Sequence, residues 1–255
     1  MSKLHPMFAF GLCLALLGCS SSTQPESAAS APPSEEAQTL ALYLTGDLYP
    51  PAELSAQLDN ELAAIRTRFR DQFPMLESIH FQLQVANELI LRFDPETAAS
   101  IQAGEYHGWD DLNKRYPADV VLSYGFERFR TLSLRFRALL NPRRLVGTYR
   151  SLPGLEHAGT NGQFNFVSHL YPRATDRGMT YLFQSGWGDC PAGCIFNEYW
   201  YFTVEDGEVE FVFHARPENP TPERWNEARR NIEEYEAFYD QPQRTDSPRF
   251  VTLGD

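Results

Sequence analysis

Two cysteines with three residues between them, Cys190 and Cys194, have the spacing in this sequence that most directly suggests chemistry. A zinc site needs about four nitrogen, sulfur or oxygen ligands, and beside this pair stands only Asp189. A catalytic C-x-x-C motif has two intervening residues rather than three. In an oxidising compartment two thiols this close form a disulfide. The sequence therefore predicts a stabilising Cys190–Cys194 bond, with a redox pair and a metal site as the alternatives.

The other reactive side chains do not form a familiar catalytic pattern. The sequence contains no H-E-x-x-H, no G-x-S-x-G, no P-loop and no dinucleotide-binding fingerprint. Glu105, His107, Asp110 and Asp111 lie around Trp109 and could bind a metal ion in a small hydrolase. Such a cluster is more often a solvated helix junction. We name no catalytic residue, no metal ligand and no cofactor, and the sequence favours a protein that is not an enzyme.

An arginine-rich stretch stands out in an acidic chain. Residues 128–150 carry seven arginines and neither Asp nor Glu. In the strand predicted there, Arg135 and Arg137 alternate with apolar residues, so the two arginines share one face of a sheet. This face is either solvated, with carboxylates from elsewhere beside it, or a patch for phosphate or carboxylate groups. Arg135 and Arg137 are therefore candidate binding residues.

Aromatic residues crowd the region 181–202, in which Trp187 and Trp200 are the largest side chains. Successive residues of a strand point to opposite faces, and aromatic rings occur at both parities. A second surface is therefore covered, either by the C-terminal helix or by a sugar or a partner protein. Trp187 and Trp200 are the second pair of candidate binding residues.

The N-terminus has the features of a secretion signal. Lys3 precedes an apolar run, residues 8–17, that is too short to span a membrane. The run ends in Leu16-Leu17-Gly18-Cys19, which resembles the lipobox of bacterial lipoproteins. The resemblance implies that residues 1–18 are removed and that Cys19 carries acyl chains such as palmitate. Ser20, rather than Asp, after this cysteine implies an outer-membrane lipoprotein that faces the periplasm.

The remaining chain predicts an α+β fold with a tether in front of it. Residues 19–38 contain no aromatic or branched aliphatic side chain and indicate a flexible tether. Residues 39–160 begin with a strand (40–45) and a helix (51–69), and then show the βαββαβ order of a ferredoxin-like unit. The strands of that unit are expected at 81–93, 119–124, 132–140 and 155–159, with helices that begin at Asp94-Pro95 and Asn141-Pro142.

In the last third of the chain, β-strands are predicted as far as residue 216. Residues 161–216 predict an antiparallel meander with strands at 164–166, 180–184, 195–204 and 208–213 and a tight turn at Asp206-Gly207. Residues 217–255 predict a C-terminal helix that begins at Thr221-Pro222-Glu223, and a tail. The alternative is one continuous mixed sheet.

Two shorter stretches resemble known groups of proteins. Residues 81–161, with Tyr149, Leu152-Pro153-Gly154-Leu155 and Asn161, resemble the ends of subtilisin-type propeptides and inhibitors, which implies protease inhibition or assisted folding. Residues 180–204, with the motif GWGDCPAGC, resemble secreted bacterial proteins without an established activity, which implies a structural module.

The net charge of the chain and the lipid anchor implied at Cys19 together limit the functions that we expect. The chain has 22 basic and 34 acidic residues, a formal net charge of −12, which disfavours non-specific nucleic-acid binding. We expect a lipid-anchored cell-envelope protein that binds an envelope protein or an anionic polymer without catalysis. A propeptide-like protease inhibitor or chaperone is the alternative.

Overall fold

The computed structural model describes residues 31–83, 87–160, 167–190, 194–216 and 221–240, with side chains up to residue 238. These ranges form two antiparallel four-stranded sheets, several helices around them and a C-terminal helix. The predicted α+β class is therefore confirmed. No helix among the described residues is long and apolar enough to cross a membrane. The predicted signal segment and Cys19 lie outside the described ranges.

The elements follow one another in three stretches. The first contains helices α1 (Glu35–Thr45) and α2 (Ala52–Phe69) and a 3₁₀ turn (Pro74–Ser78). The second contains β1 (Glu88–Phe93), α3 (Pro95–Ala103), α4 (Asp110–Arg115), β2 (Ala118–Leu122), α5 (Phe126–Phe129), β3 (Thr131–Phe136), a 3₁₀ turn (Pro142–Leu145), α6 (Val146–Tyr149) and β4 (Leu155–Gly159). The third contains β5 (Ser168–Thr175), β6 (Gly178–Trp187), β7 (Phe196–Glu205), β8 (Glu208–Ala215) and α7 (Trp225–Asp240).

The strand predicted at residues 40–45 is wrong, because these residues are the second half of α1. The Ser34 side chain accepts a hydrogen bond from the Ala37 amide and caps the helix, which ends at Gly46 with φ of 69°. Buried residues recur at helical spacing through Ala37, Leu40, Ala41 and Leu44. The helix also begins inside the predicted tether, which therefore ends before residue 35.

Sheet A contains the strands of the second stretch in the order β2-β3-β1-β4, all antiparallel. Each of the four predicted strands overlaps an observed one, with β1 and β3 shorter than expected; the short helix α5 between β2 and β3 was not predicted, and the helix predicted from Asn141 is a 3₁₀ turn followed by the single turn of α6. Asp94 caps α3 by accepting a hydrogen bond of 2.7 Å from the Thr97 amide. Asn141 caps a 3₁₀ turn in the same way. These local capping groups explain why this part of the sequence was predicted well.

Sheet B is a meander with the order β5-β6-β7-β8. The Asp206-Gly207 turn joins β7 to β8 with positive φ at both residues, as predicted. The first strand lies at Ser168–Thr175, where none was predicted, and Pro172 in its middle explains the weak signal. The strand predicted at 164–166 falls outside the described residues.

Two large apolar cores hold the sheets, and a small third cluster with Leu182, Tyr201 and Ala228 lies between sheet B and α7. The first large core crosses the predicted boundary at residue 160. Helices α1 and α2 and residues 76–83 pack on sheet B, not on sheet A. The helices of the second stretch cover one face of sheet A, with Leu91, Leu134 and Tyr149 among its fully buried residues. The chain therefore returns to its N-terminal helices after completing sheet A.

Short polar links join the two cores. The Asn141 amide donates to the Leu48 carbonyl at 3.0 Å, which ties sheet A to the α1–α2 connection. The Arg143 guanidinium donates to the Phe238 carbonyl at 2.6 Å and lies 4.3 Å from the ring centroid of the same residue. Residues from Pro32 onward accordingly cluster as one unit.

Candidate functional site

The end of the β6–β7 hairpin is closed by the cysteine pair. The sulfurs of Cys190 and Cys194 lie at bonding distance, and their Cα atoms are 3.9 Å apart. This arrangement fits the predicted disulfide. Among the described residues, no group of three or more His, Cys, Asp or Glu side chains could hold a metal ion. The bond joins the segment that follows β6 to the segment that precedes β7.

Exposed aromatic rings lie beside this bond. Trp187 and Phe196 are directly opposite each other at the ends of β6 and β7. Their ring centroids are 5.9 Å apart with an interplanar angle of 27°. Trp187 is 41% exposed, Phe196 45% and Ile195 65%. We call these three side chains the hairpin-end surface, because grouped exposed apolar residues of this kind mark contact sites.

A pocket of about 260 Å³ opens next to the hairpin-end surface, on the other face of β7. The rings of Tyr199 and Trp225 meet there edge to face at 4.9 Å. Asn197 and Arg216 also line the pocket; the Asn197 amide is bonded to Gln184 and to the Cys194 carbonyl, and Arg216 Nε is bonded to Glu198. Because Asn197 follows Phe196 directly, rings and polar groups surround the same end of the strand.

A charged network supports this end of sheet B from the hairpin-end side. Glu198 Oε1 accepts a hydrogen bond of 2.5 Å from Arg216 Nε and lies 2.5 Å from His214 Nε2. The Trp200 ring stacks on His214 at 5.2 Å. The sequence analysis missed this network, together with Asn197 and Trp225. One of the two covers that it offered for the second aromatic face, the C-terminal helix, is observed, since Tyr199 contacts Trp225 of α7. The sequence feature that could have indicated the network is Glu198, because it places a carboxylate between Phe196 and Trp200 on one strand face.

The two tryptophans predicted as binding residues have different surroundings. Trp187 reaches the surface, whereas Trp200 is 2% exposed. The Trp200 ring lies between His214 and Phe73, whose ring centroid is 6.4 Å away. Phe73 follows α2, and the sequence did not show that this segment covers sheet B. Trp200 is therefore a core residue and not part of a binding surface in this structure.

The predicted arginine face is exposed, but carboxylates of the same chain lie beside it. Arg137 Nη2 donates to Asp119 at 2.9 Å, and this bond raises the pKa of the guanidinium. Arg135 Nη2 lies 3.9 Å from Glu88. Arg135 is in β3 and Arg137 just beyond it, and both side chains are solvated. These ion pairs match the first of the two interpretations offered for this face.

The acidic cluster around Trp109 spans the loop before α4 and the first turn of that helix, which contains Asp110 and Asp111. His107 Nδ1 lies 3.0 Å from Asp110 Oδ2, and both side chains are exposed. Trp109 is buried against Phe93 and Tyr106, with ring centroids 5.8 Å and 4.7 Å away. The aromatic ring anchors the loop, and the carboxylates point to solvent. The arrangement does not assemble a catalytic set.

Two buried carboxylates bridge α1 and α2 to other parts of the core. Burial raises the pKa of Glu36, but paired hydrogen bonds from Arg66 at 2.8 and 2.9 Å and one from the Phe81 amide outweigh it, and the pKa is lowered. Glu61 accepts from the Tyr181 hydroxyl at 2.5 Å. Burial, and then the charge of Glu61, raise the pKa of Tyr181. These groups satisfy one another and serve the fold.

Comparison of the chain with models of known families, with curated proteins and with solved structures finds no match. The surface chemistry of the described residues is therefore the basis for a functional proposal.

Proposed function

We propose that this protein is a non-catalytic binding module of the bacterial cell envelope, anchored by lipid at Cys19, and that the hairpin-end surface contacts its ligand. The observation that carries the proposal is the exposed ring pair Trp187 and Phe196. Exposed apolar surface costs roughly 25 cal/mol per Å² relative to its burial. Because Trp187 and Phe196 stay exposed to water beside the Cys190–Cys194 bond, we infer that their rings contact a ligand.

The chemistry of this end of sheet B suits a saccharide of a wall polymer. A sugar ring has apolar C–H faces, which pack on aromatic rings, and a rim of hydroxyls, which need hydrogen-bond partners. Trp187 and Phe196 offer the first kind of contact. Asn197 and Arg216 line the pocket on the opposite face of β7 and offer the second, so a polymer that passes around the end of the strand meets both kinds of contact. Binding sites commonly combine aromatic walls with a few polar groups in this way.

We further propose that sheet A and its helices form a ferredoxin-like unit. The strand order β2-β3-β1-β4 supports this arrangement, as do the helices between β1 and β2 and between β3 and β4; the short helix α5 between β2 and β3 is an addition to the pattern. The same order is what favours the alternative function, a propeptide-like protease inhibitor. Against inhibition, β4 ends at Gly159 and the chain enters β5 at Ser168. The segment that such propeptides insert into a protease cleft is here a connection between two sheets.

Binding to purified peptidoglycan tests the proposal. We expect the full chain, purified in mild detergent, to sediment with peptidoglycan. Trp187→Ala should weaken this binding about ten-fold, the effect of losing one aromatic anchor. Tyr49→Ala is the matched control, because Tyr49 is similarly exposed but lies between α1 and α2. The control should bind like the unchanged chain, with circular dichroism identical for all three proteins.

The other outcomes are equally informative. Equal binding by Trp187→Ala and the unchanged chain would refute the role of the hairpin-end surface. Binding lost only in the double variant Arg135→Glu/Arg137→Glu would move the site to the arginine face and indicate an anionic polymer. Inhibition of a subtilisin-type protease, unaffected by either change, would favour the alternative function.

A further inference from the structure

One outer edge of sheet A carries apolar side chains and has no covering element among the described residues. Strand β2 pairs only with β3. On this edge Val120 is 39% exposed, Val121 37% and Leu122 47%. An exposed edge of β-branched and aliphatic residues is a template for pairing with another strand.

The hydrogen bonds that flank β2 show which backbone groups point outward. The Ser123 amide donates to the Thr131 carbonyl, and the Arg137 amide donates to the Pro117 carbonyl. In an antiparallel pair, hydrogen-bonded positions alternate with free ones. Asp119 and Val121 therefore bond to β3, whereas the N–H and C=O groups of Ala118, Val120 and Leu122 point away from the sheet.

The other three outer edges carry features that oppose strand addition. Strand β5 contains Pro172, which has no N–H to donate. On β8, the Val209 carbonyl is occupied by Arg68 Nη1 at 2.7 Å. The β1–β4 pairing is irregular between Arg92 and Phe93, and Glu156 of β4 carries a charge that pairs with Arg92 and Arg130. Strand β2 also carries a charge, Asp119, but the three residues whose backbone groups point outward from β2, Ala118, Val120 and Leu122, are all apolar.

We propose that β2 pairs with β2 of a second copy of this chain, antiparallel and about a two-fold axis at Val120. In this register Val120 meets Val120 of the second copy, and Ala118 meets Leu122. Every outward N–H and C=O of the three residues then finds a partner. The strand is thus complementary to itself, which is the requirement for an isologous dimer.

Two neighbouring registers are less favourable: strand length opposes the one centred on Val121, which pairs Ala118 with Tyr124 beyond the end of β2, and charge opposes the one centred on Asp119. Centred on Asp119, the two strands would place two carboxylates directly opposite each other, which is destabilising. Centred on Val120, each Asp119 lies opposite Val121 of the second copy. The exposed valine and leucine side chains become covered in the same step. The interface is small, so we expect a reversible dimer with a dissociation constant of roughly 10–100 μM.

Charge substitutions on β2 test the dimer and its axis. Sedimentation equilibrium of the full chain in mild detergent should show dimers whose fraction rises with concentration. Val120→Lys brings two ammonium groups together at the axis and should weaken association at least about ten-fold. Val121→Lys is the matched control on the same strand. It places a cation opposite Asp119 of the second copy, so its dimer should be as strong as that of the unchanged chain or stronger.

A charge swap makes the result specific for the two-fold axis. Val120→Glu alone should also be monomeric, whereas an equal mixture of Val120→Lys and Val120→Glu chains should form mixed dimers. Circular dichroism must show that the variants keep their fold, and mixed-dimer formation is itself a folding control. The proposal is overturned if the unchanged chain stays monomeric at protein concentrations of roughly 10–100 μM, the range of the expected dissociation constant. It is also overturned if Val120→Lys and Val121→Lys have the same dimer dissociation constant.

Discussion

His169 is a titratable residue with no exposed surface. It lies among aromatic rings, with centroids 4.5 Å from Tyr235 and 4.6 Å from Tyr171. Burial lowers the pKa of His169 to about 3, although the charge of Glu36 raises it slightly. The imidazole is therefore neutral in the folded protein at neutral and mildly acidic pH.

Stability should fall in mild acid because of His169. Its folded pKa lies below its unfolded value of about 6.5, so below pH 6.5 the unfolded chain binds a proton that the folded chain excludes. The free energy by which neutral His169 stabilises the folded state is fully present above pH 6.5 and is lost as the pH falls toward 3. Between pH 7 and pH 5 we expect a loss of about 2 kcal/mol, measured by urea unfolding.

The variant His169→Gln should flatten this pH profile, whatever its stability at pH 7. His107→Gln is the control, because His107 is exposed, and it should leave the slope unchanged. The unfolding measurements are limited to pH 5 and above so that Glu36 does not contribute to the slope. Because the pKa of Glu36 is lowered, its carboxylate is protonated only in stronger acid. A slope unchanged by His169→Gln would contradict the neutral buried state.

At the scale of elements, the β6–β7 hairpin depends on the disulfide for its closed end. The bond closes a loop with a sequence separation of 4. By the chain-entropy model, so small a loop contributes about 2 kcal/mol. The hairpin-end rings lie at the strand ends that this loop joins, so the bond also orders the surface assigned to ligand contact.

The double variant Cys190→Ser/Cys194→Ser should lower the free energy of unfolding by about 2 kcal/mol and keep its circular dichroism. Denaturant titration with and without reductant provides the measurement and its control. Reductant should destabilise the unchanged chain and leave the variant unaffected. Equal stability of the two proteins under oxidising conditions would show that the bond does not contribute in solution.

At the scale of the whole molecule, net charge bears on the proposed attachment to a membrane. The chain has a formal net charge of −12, so the anionic lipids of a bilayer surface repel it. Under the proposed function, acylation of Cys19 overcomes this repulsion and attaches the protein.

Cys19→Ala should therefore move the protein from the membrane fraction to the soluble fraction of fractionated cells. Ser20→Ala keeps the cysteine and should stay with the membranes, which makes it the matched control. Immunoblotting of the fractions measures both. A Cys19→Ala chain that remains bound to membranes would contradict lipid anchoring.

Prediction from the sequence succeeded where a few neighbouring residues suffice. Asp94 caps α3, Asp206-Gly207 forms its turn, and Cys190 and Cys194 lie at bonding distance. The prediction of a strand at 40–45 failed because a short apolar run is equally compatible with a helix and with a strand. Of the candidate site, aromatic density identified both Trp187 and Trp200, but alternation along a strand could not show which of the two is covered.

The sequence by itself determined the α+β composition, the caps and turns, and the residue pair that closes the hairpin, since these depend on groups a few positions apart. Only the tertiary structure decided the packing of α1 and α2 on sheet B and the free edge at β2. Arg68 meets Val209 across 141 positions, and Arg143 meets Phe238 across 95. Contacts so distant in sequence follow from how the sheets bring separate segments together, which local periodicity does not encode.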